Sequence, residues 1–375
     1  MKFVRKISCN ELLYADMQDV LHAYVTQYVV EIKTLKDEKL LEKAINAAID
    51  FNDGSNMQLK GRSFYVAEKP VRVKRVKIRD KDLWAADFFN EGVDYREATV
   101  AAFIVTHQKK KYFVVKVSHA AMDGKGGLLL IDNIFKYLNG EEMIHYDNAL
   151  TDRALLKQLP YKSFPEPKFP KLKPKNSKVI KKFETTRRVI TLDGYTNSII
   201  AKIAKVFAEE FDEDEVRFMI PSDLRRHRRG ENHCGNLVLP IMLKVNKGDS
   251  VATINGKMLM GLKNKDELNI RNTSYFGYNY LPKFLRNAFL RMATTYANKR
   301  RKFSIAGVIT YLGRIKIDGV VDFLSIPPAE PLGPFIASIV ECNNKTNIVL
   351  CYYKDQYSEE YIDKLCERLK EIENE

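Results

Sequence analysis

Apolar and polar positions in the first half of the chain recur with two distinct periods. AYVTQYVVEIK (23–33) is rich in β-branched and aromatic residues and predicts a strand. Thr34 with Asp37 then forms a capping-box pattern, and Leu41, Ala44, Ile45, Ala48 and Phe51 return at helical spacing up to the turn FNDGSN. RSFYVAE, VRVKRVKI and ATVAAFIVTH read as strands, and the polar turn HQKKK leads into YFVVKVSH, so the last two predict a hairpin. Beyond an Asp-Gly pair, GGLLLIDNIFKYLNG places Leu128, Ile131, Phe135 and Leu138 on one helical face, with Gly140 suited to the C-cap.

Between 158 and 183 the periodic pattern gives way to a segment dense in proline and lysine, which disfavours both helix and paired strand and predicts an extended connector. After it the pattern resumes: strand ETTRRVITL, helix NSIIAKIAKVFAEEF, strands EVRFMIP and NLVLPIMLKV, and a helical region around 250 to 300. Late strands follow in SIAGVITYLGRIKI, PFIASIVECN and TNIVLCYYK. Ser358 caps a last helix with Ile362, Leu365, Leu369 and Ile372 on one side. Alternation without strict βαβ regularity predicts an α+β fold with mixed sheets. The expected organisation is an N-terminal lobe over 1–157, the connector over 158–183 and a C-terminal lobe over 184–375.

The 375 residues and 45% hydrophobic content suffice for a large core. No apolar run approaches the roughly 18 residues of a membrane helix, so no membrane span is expected. The basic N-terminus meets Glu11, Asp16 and Asp19 before any apolar run develops, unlike a signal peptide. The five cysteines are scattered and lack CxxC spacing, which fits a reducing compartment; a cytoplasmic location is expected. His227, His233 and Cys234 lie close together but lack a second ligand pair, so no metal is expected.

A formal charge of +14 changes the picture by calling for anionic company: nucleic acid, an acidic membrane, an acidic carrier protein or a phosphorylated small molecule. The cations gather at 72–81, 167–182 and 225–229. The first tract alternates with Val73, Val76 and Ile78, the pattern of a strand with one wet face. A nucleic-acid partner is not expected, because no zinc finger, helix-turn-helix or RNA-recognition motif accompanies the tracts and aromatic residues do not interleave with them.

Candidate chemistry centres on VSHAAMDG (117–124), where a strand meets a helix. A histidine at a strand end is most often a packed residue with backbone partners. Here it precedes an Asp-Gly pair by four positions in a loop that projects side chains. Imidazole titrates near neutrality, so a neutral His119 can take the proton of a hydroxyl or amine attacking a carbonyl. Asp123 either orients the imidazole or turns away to pair with an arginine, and the intervening turn favours the pairing. Gly124 removes a side chain where backbone passes close. The chain has no GxSxG elbow or reactive-cysteine signature, so direct transfer without a covalent enzyme intermediate is the simpler scheme.

SHAAMDG resembles the HHxxxDG motif of the chloramphenicol-acetyltransferase-like superfamily, which includes condensation domains, BAHD acyltransferases, alcohol acetyltransferases and polyketide-associated acyltransferases. PSDLRRHRRGENHCGNLVLPI is similar to a family stretch in which P-x-x-x-R precedes Gly-Asn and a strand, and ITYLGRIKI stands where a Ser-Asn-Leu-Gly strand is usual. The resemblance implies a two-lobed αβ sandwich with a tunnel between the lobes. It further implies His119 as general base, Asp123 as a structural carboxylate, Arg225 as its ion-pair partner and Asn236 as a polar lining residue. Ser118 replaces the first histidine of the motif, and Thr310 and Tyr311 replace Ser-Asn. Ser118 or Thr310 is then the candidate oxyanion donor, with Tyr311 beside the tunnel.

The implied activity is transfer of an acyl group from a thioester, acyl-CoA by preference, to a small alcohol or amine. Acyl-CoA would be a co-substrate, with no bound cofactor. The alternatives are a free-standing condensation-type enzyme with carrier-protein substrates, or a non-catalytic protein that binds an acidic acyl carrier protein or nucleic acid. A monomer is expected, since both lobes fall in one chain.

Overall fold

The computed structural model describes residues 2–21, 23–32, 37–160, 171–228, 232–269 and 278–372. β1 (Phe3–Lys6) leads into α1 (Cys9–Val20), which starts in a capping box: Ser8 accepts from the Glu11 amide, and Glu11 accepts from the Ser8 amide. β2 (Val25–Ile32) is followed by α2 (Glu38–Phe51). Asp37 is itself the N-cap of α2, accepting from the Lys39 amide, instead of the third helical residue of a box begun at Thr34; Thr34 lies outside the described residues. The short strands β3 (Met57–Lys60) and β4 (Ser63–Val66) make a three-stranded sheet with β1.

β5 (Val73–Ile78), β6 (Val100–His107) and β7 (Lys110–Ser118) follow. The β6–β7 hairpin pairs His107 with Lys110 and takes its tight turn at Gln108, whose φ of 52° is left-handed. α3 (Gly124–Asn139) ends at Gly140, with φ 73°. The first large sheet has the order β12-β2-β7-β6-β5, where β12 (Val320–Ile326) comes from late in the chain. Its edge strand β5 carries exposed Lys74, Arg75 and Lys77, which keep an open edge from pairing with another chain.

α4 (Asp152–Leu156) closes the first half. β8 (Thr185–Asp193), α5 (Ile199–Ala208), β9 (Glu215–Asp223), β10 (Val238–Asn246), α6 (Val251–Asn264) and α7 (Lys283–Arg300) come next. Last are β11 (Gly307–Ile315), β12 (Val320–Ile326), β13 (Ile336–Cys342), β14 (Lys345–Tyr353) and α8 (Glu359–Glu371), capped by Ser358. The second large sheet is β10-β9-β11-β13-β14-β8, with β11 parallel to both neighbours.

Three apolar layers follow from the alternation along the strands. Tyr28, Val30, Phe113, Val115 and Val117 pack against Leu41, Ile45 and Ala48 of α2 and Ile131 and Phe135 of α3. Ile190, Phe218, Ile339 and Leu350 pack against α5 and α8 through Ile203, Phe207, Leu365 and Leu369. The opposite faces meet each other: Val29, Val105 and Val114 of the first sheet contact Val308, Ile336 and Val349 of the second, with Phe88 and Phe89 between them. The result is the expected α+β sandwich of two lobes, helices outward and sheets inward.

One sequence expectation needs correction. VVDFLSI was not read as a strand, yet β12 leaves the second half of the chain and adds to the edge of the first sheet, antiparallel to β2. The span 184–375 therefore does not lie wholly in one lobe. The described part of the connector is packed onto the second half of the chain: Leu172 bridges Phe303, Pro174 bridges Phe211 and Ile180 is buried. Residues 161–170 of the connector lie outside the described residues. Among the described residues no helix is long and apolar enough to cross a membrane.

Candidate active site

β7 ends at Ser118, and α3 begins at Gly124. The five residues between them form a tight loop held by hydrogen bonds from several other parts of the chain. The His119 amide donates to Tyr24 O (3.1 Å), and its carbonyl accepts from Asn236 Nδ2 (2.7 Å). The Ala121 carbonyl accepts from Asn148 Nδ2 (3.1 Å), and Asn148 is in turn gripped by the buried Arg5–Glu11 pair.

Asp123 caps α3, its Oδ1 accepting from the Gly126 amide at 2.7 Å. Its Oδ2 accepts from the Leu237 amide at 2.8 Å, and Arg225 reaches both oxygens at 3.1 and 3.2 Å. None of these four bonds goes to His119. Burial opposes the charge on Arg225, but Asp123 and Asp223 outweigh it and push the guanidinium pKa further up. This buried pair joins the α3 end of the first lobe to the 3-10 turn after β9 in the second, so it also fixes one lobe against the other.

Glycine spacing makes that approach possible. A Cβ on Gly124 would sit 2.6 Å from Leu312 Cδ2, which can swing aside. A Cβ on Gly126 would fall 1.9 Å from the Cys234 carbonyl oxygen, which is backbone and cannot.

Between the two large sheets lies a cavity of about 370 Å³ with His119 in its wall. Asp123, Gly124, Asn236, Thr310 and Tyr311 also line it. Ser118 is not among the residues lining it, and its buried hydroxyl has no hydrogen-bond partner. The cavity lining therefore gives no support to an oxyanion role for Ser118.

The His119 ring stacks on Tyr14 (centroids 4.7 Å apart) and lies nearly parallel to Tyr24 at 5.7 Å. Its Nδ1 is buried beside the backbone of His119 and Met122 without a well-formed hydrogen bond, which leaves Nε2 as the nitrogen able to act on a bound molecule. Burial lowers the His119 pKa, with the charge of Asp123 opposing part of the effect, so the ring is neutral at pH 7.

The sequence reading passed over several groups in the same cavity. Glu330, between β12 and β13, accepts from Tyr24 Oη at 2.9 Å and from the Leu332 amide at 3.2 Å, and burial pushes its pKa up to about 6. Asp152 accepts from Asn10 Nδ2 at 2.6 Å; burial and the charge of Glu11 likewise raise it to about 6. Ser338 faces Thr310 across the β11–β13 pairing and lines the cavity with an unpartnered hydroxyl. The visible signal for Glu330 was a carboxylate inside the apolar, proline-rich PPAEPLG.

The basic tract at 225–228 is consumed internally: Arg225 by Asp123, Arg226 and His227 by Glu267, and Arg228 by Gln158. His233 turns instead to Asp147. Among the described residues no group of three histidine, cysteine or acidic side chains is placed to hold a metal.

No protein-family model matches the chain, and no curated protein matches it in sequence. Its shape is nonetheless shared with solved structures over nearly its full length. The polyketide synthase associated protein 5 of Mycobacterium tuberculosis aligns over 100% of this chain and 98% of its own, with a TM-score of 0.64 and 14% identity. The first condensation domain of the CDA synthetase aligns over 98% and 95%, with a TM-score of 0.64 and 13% identity. A mutant starter condensation domain of rhizomide synthetase, in complex with C8-CoA and Leu-SNAC, aligns over 99% and 94%, with a TM-score of 0.61 and 11% identity. The chain thus shares the fold of these condensation domains and of the polyketide synthase associated protein. Within that fold, the solved chains it is similar to include condensation domains and a polyketide synthase associated protein.

Proposed function

We propose that this chain is an acyltransferase that moves an acyl group from a thioester, acyl-CoA by preference, to a hydroxyl or amine, with His119 as general base. The observation that carries this reading is a neutral histidine in the wall of an inter-sheet cavity, with one ring nitrogen free to act. The acceptor X–H loses its proton to His119 Nε2 as X attacks the thioester carbonyl carbon. The tetrahedral intermediate collapses by breaking the C–S bond, and the departing thiolate takes the proton back from the imidazolium. No covalent bond to the enzyme forms. Asp123, Gly124 and Arg225 hold the loop in shape, Asn236 clamps the His119 carbonyl, and the Thr310 and Ser338 hydroxyls face the space where an oxyanion would develop. Tyr311 lines the same wall. Asp152 and Glu330 offer acceptor atoms to an amine or hydroxyl.

A condensation-type enzyme using carrier-bound substrates is the second reading, supported by the fold shared with condensation domains. The nucleic-acid reading loses support because Arg225 to Arg228 are engaged within the protein. We further take the enzyme to act as a cytoplasmic monomer.

The test offers purified protein a panel of acyl-CoA donors with alcohols and amines and follows release of the CoA thiol. Acceptor-dependent release is expected, falling roughly 10²- to 10⁴-fold in His119→Ala. Because the folded-state pKa of His119 is depressed, the rate should hold near neutrality and fall only as pH drops through a midpoint below 6.5. Undiminished release in His119→Ala would remove the base from the mechanism. Inert acyl-CoA together with turnover of carrier-bound thioesters would select the second reading.

A further inference from the structure

α7 is an amphipathic helix turned inside out. Its inward face is narrow and partly polar: Arg286 pairs with buried Asp16 at 2.6 Å, Leu290 packs among Leu12, Leu13 and Met17 of α1, and Thr294 bonds back to the Leu290 carbonyl. The larger apolar side chains are on the other side, in water. Phe284 is 70% exposed, Phe289 52%, Met292 67% and Tyr296 65%, and Tyr280, just before the helix, is 84% exposed. At 100° per residue, Phe284, Leu285, Met292 and Tyr296 fall in one continuous arc with Phe289 at its margin, opposite the buried residues. An apolar stripe of this size on a protein surface calls for an occupant.

The charges identify it. KFLRNAFLRMATTYANKR contains five cations and no acid, and Arg291, Lys299 and Arg300 are exposed near the apolar arc. The face is presented by a single helix. An apolar face with aromatic residues, cations beside it and no acidic residue matches what lies in the interface of an anionic bilayer.

We infer that α7 is a docking helix for the surface of an anionic membrane, held parallel to the bilayer with Phe284, Phe289, Met292 and Tyr296 in the headgroup and acyl boundary. The inference does not depend on the acyl-transfer reading. If that reading holds, the dock has a use, because α1, on which α7 packs, carries Asn10 and Tyr14 into the cavity wall. A substrate borne by the lipid surface would then arrive beside the site.

The experiment is co-sedimentation of the full chain with vesicles of phosphatidylcholine alone or phosphatidylcholine with phosphatidylglycerol, with no acyl substrate present, so its outcome is separate from any activity assay. Wild type should bind the anionic vesicles and largely leave the neutral ones. Phe284→Ser/Phe289→Ser/Met292→Ser should bind at least about tenfold more weakly with an unchanged melting temperature, because all three side chains are exposed. Arg291→Gln/Lys299→Gln/Arg300→Gln should lose about fivefold per cation and most of the salt sensitivity. Equal vesicle binding by wild type and the apolar variant overturns the proposal, as does absence of binding to anionic vesicles. A lipid-free dimer that the apolar variant dissociates would also overturn it, since a second copy would then be the occupant.

Discussion

Asp123 and Glu330 line the same cavity and are held in opposite ways. Asp123 has four hydrogen bonds and a buried arginine across both oxygens. Glu330 has two bonds, both from neutral donors, the Tyr24 hydroxyl and the Leu332 amide. A carboxylate whose charge and lone pairs are all matched is part of the architecture, and little in a substrate can compete for it. A carboxyl group in a dry wall without a cation is half-neutral near pH 6 and keeps capacity for a ligand. The two walls therefore divide the work: one holds His119 in place, and the other is open to the molecule it acts on.

Breaking the saturated wall should have the largest effect. Arg225→Leu strands the Asp123 charge in a buried position and should lower stability by about 3–5 kcal/mol in urea titrations; adding Asp123→Asn should restore part of the loss, which an independent pair would not do. Gly126→Ala comes next, at about 1–3 kcal/mol, because its Cβ would collide with the Cys234 backbone and push α3 off the second lobe. A Gly126→Ala protein that melts like wild type would show the two lobes to be less tightly fitted than this.

Glu330→Gln should have the smallest effect on folding and the more specific effect on use. The folded pKa of Glu330 lies above the ordinary 4.5, so this group's contribution to stability falls as pH rises from about 4.5 to about 6. The amide removes that dependence. Melting at pH 7 should not fall, while KM for an amine acceptor rises about tenfold with kcat little changed. Equal KM values for wild type and variant across alcohols and amines would place Glu330 with Asp123 among the structural carboxylates and end the contrast.

The sequence determined what short-range periodicity and local chemistry control. Strand β7, the hairpin turn, helix α3 with its Gly140 cap, and the loop from His119 to Gly124 are all encoded within a few residues of where they act. Tertiary structure decided what depends on residues far apart. β12 joins the first sheet through a partner, β2, at the other end of the chain, and nothing local to VVDFLSI specifies that partner. Ser118 and Thr310 were equal candidates by position, and only the packed lobes put Thr310 in the cavity wall and left Ser118 out of it. Glu330 meets Tyr24 across more than 300 residues (|i−j| = 306), and its raised pKa comes from burial that the flanking prolines cannot report. Local pattern fixes which way a side chain leaves its own strand or helix; the surroundings it enters, dry or wet, paired or alone, exist only once distant segments have packed.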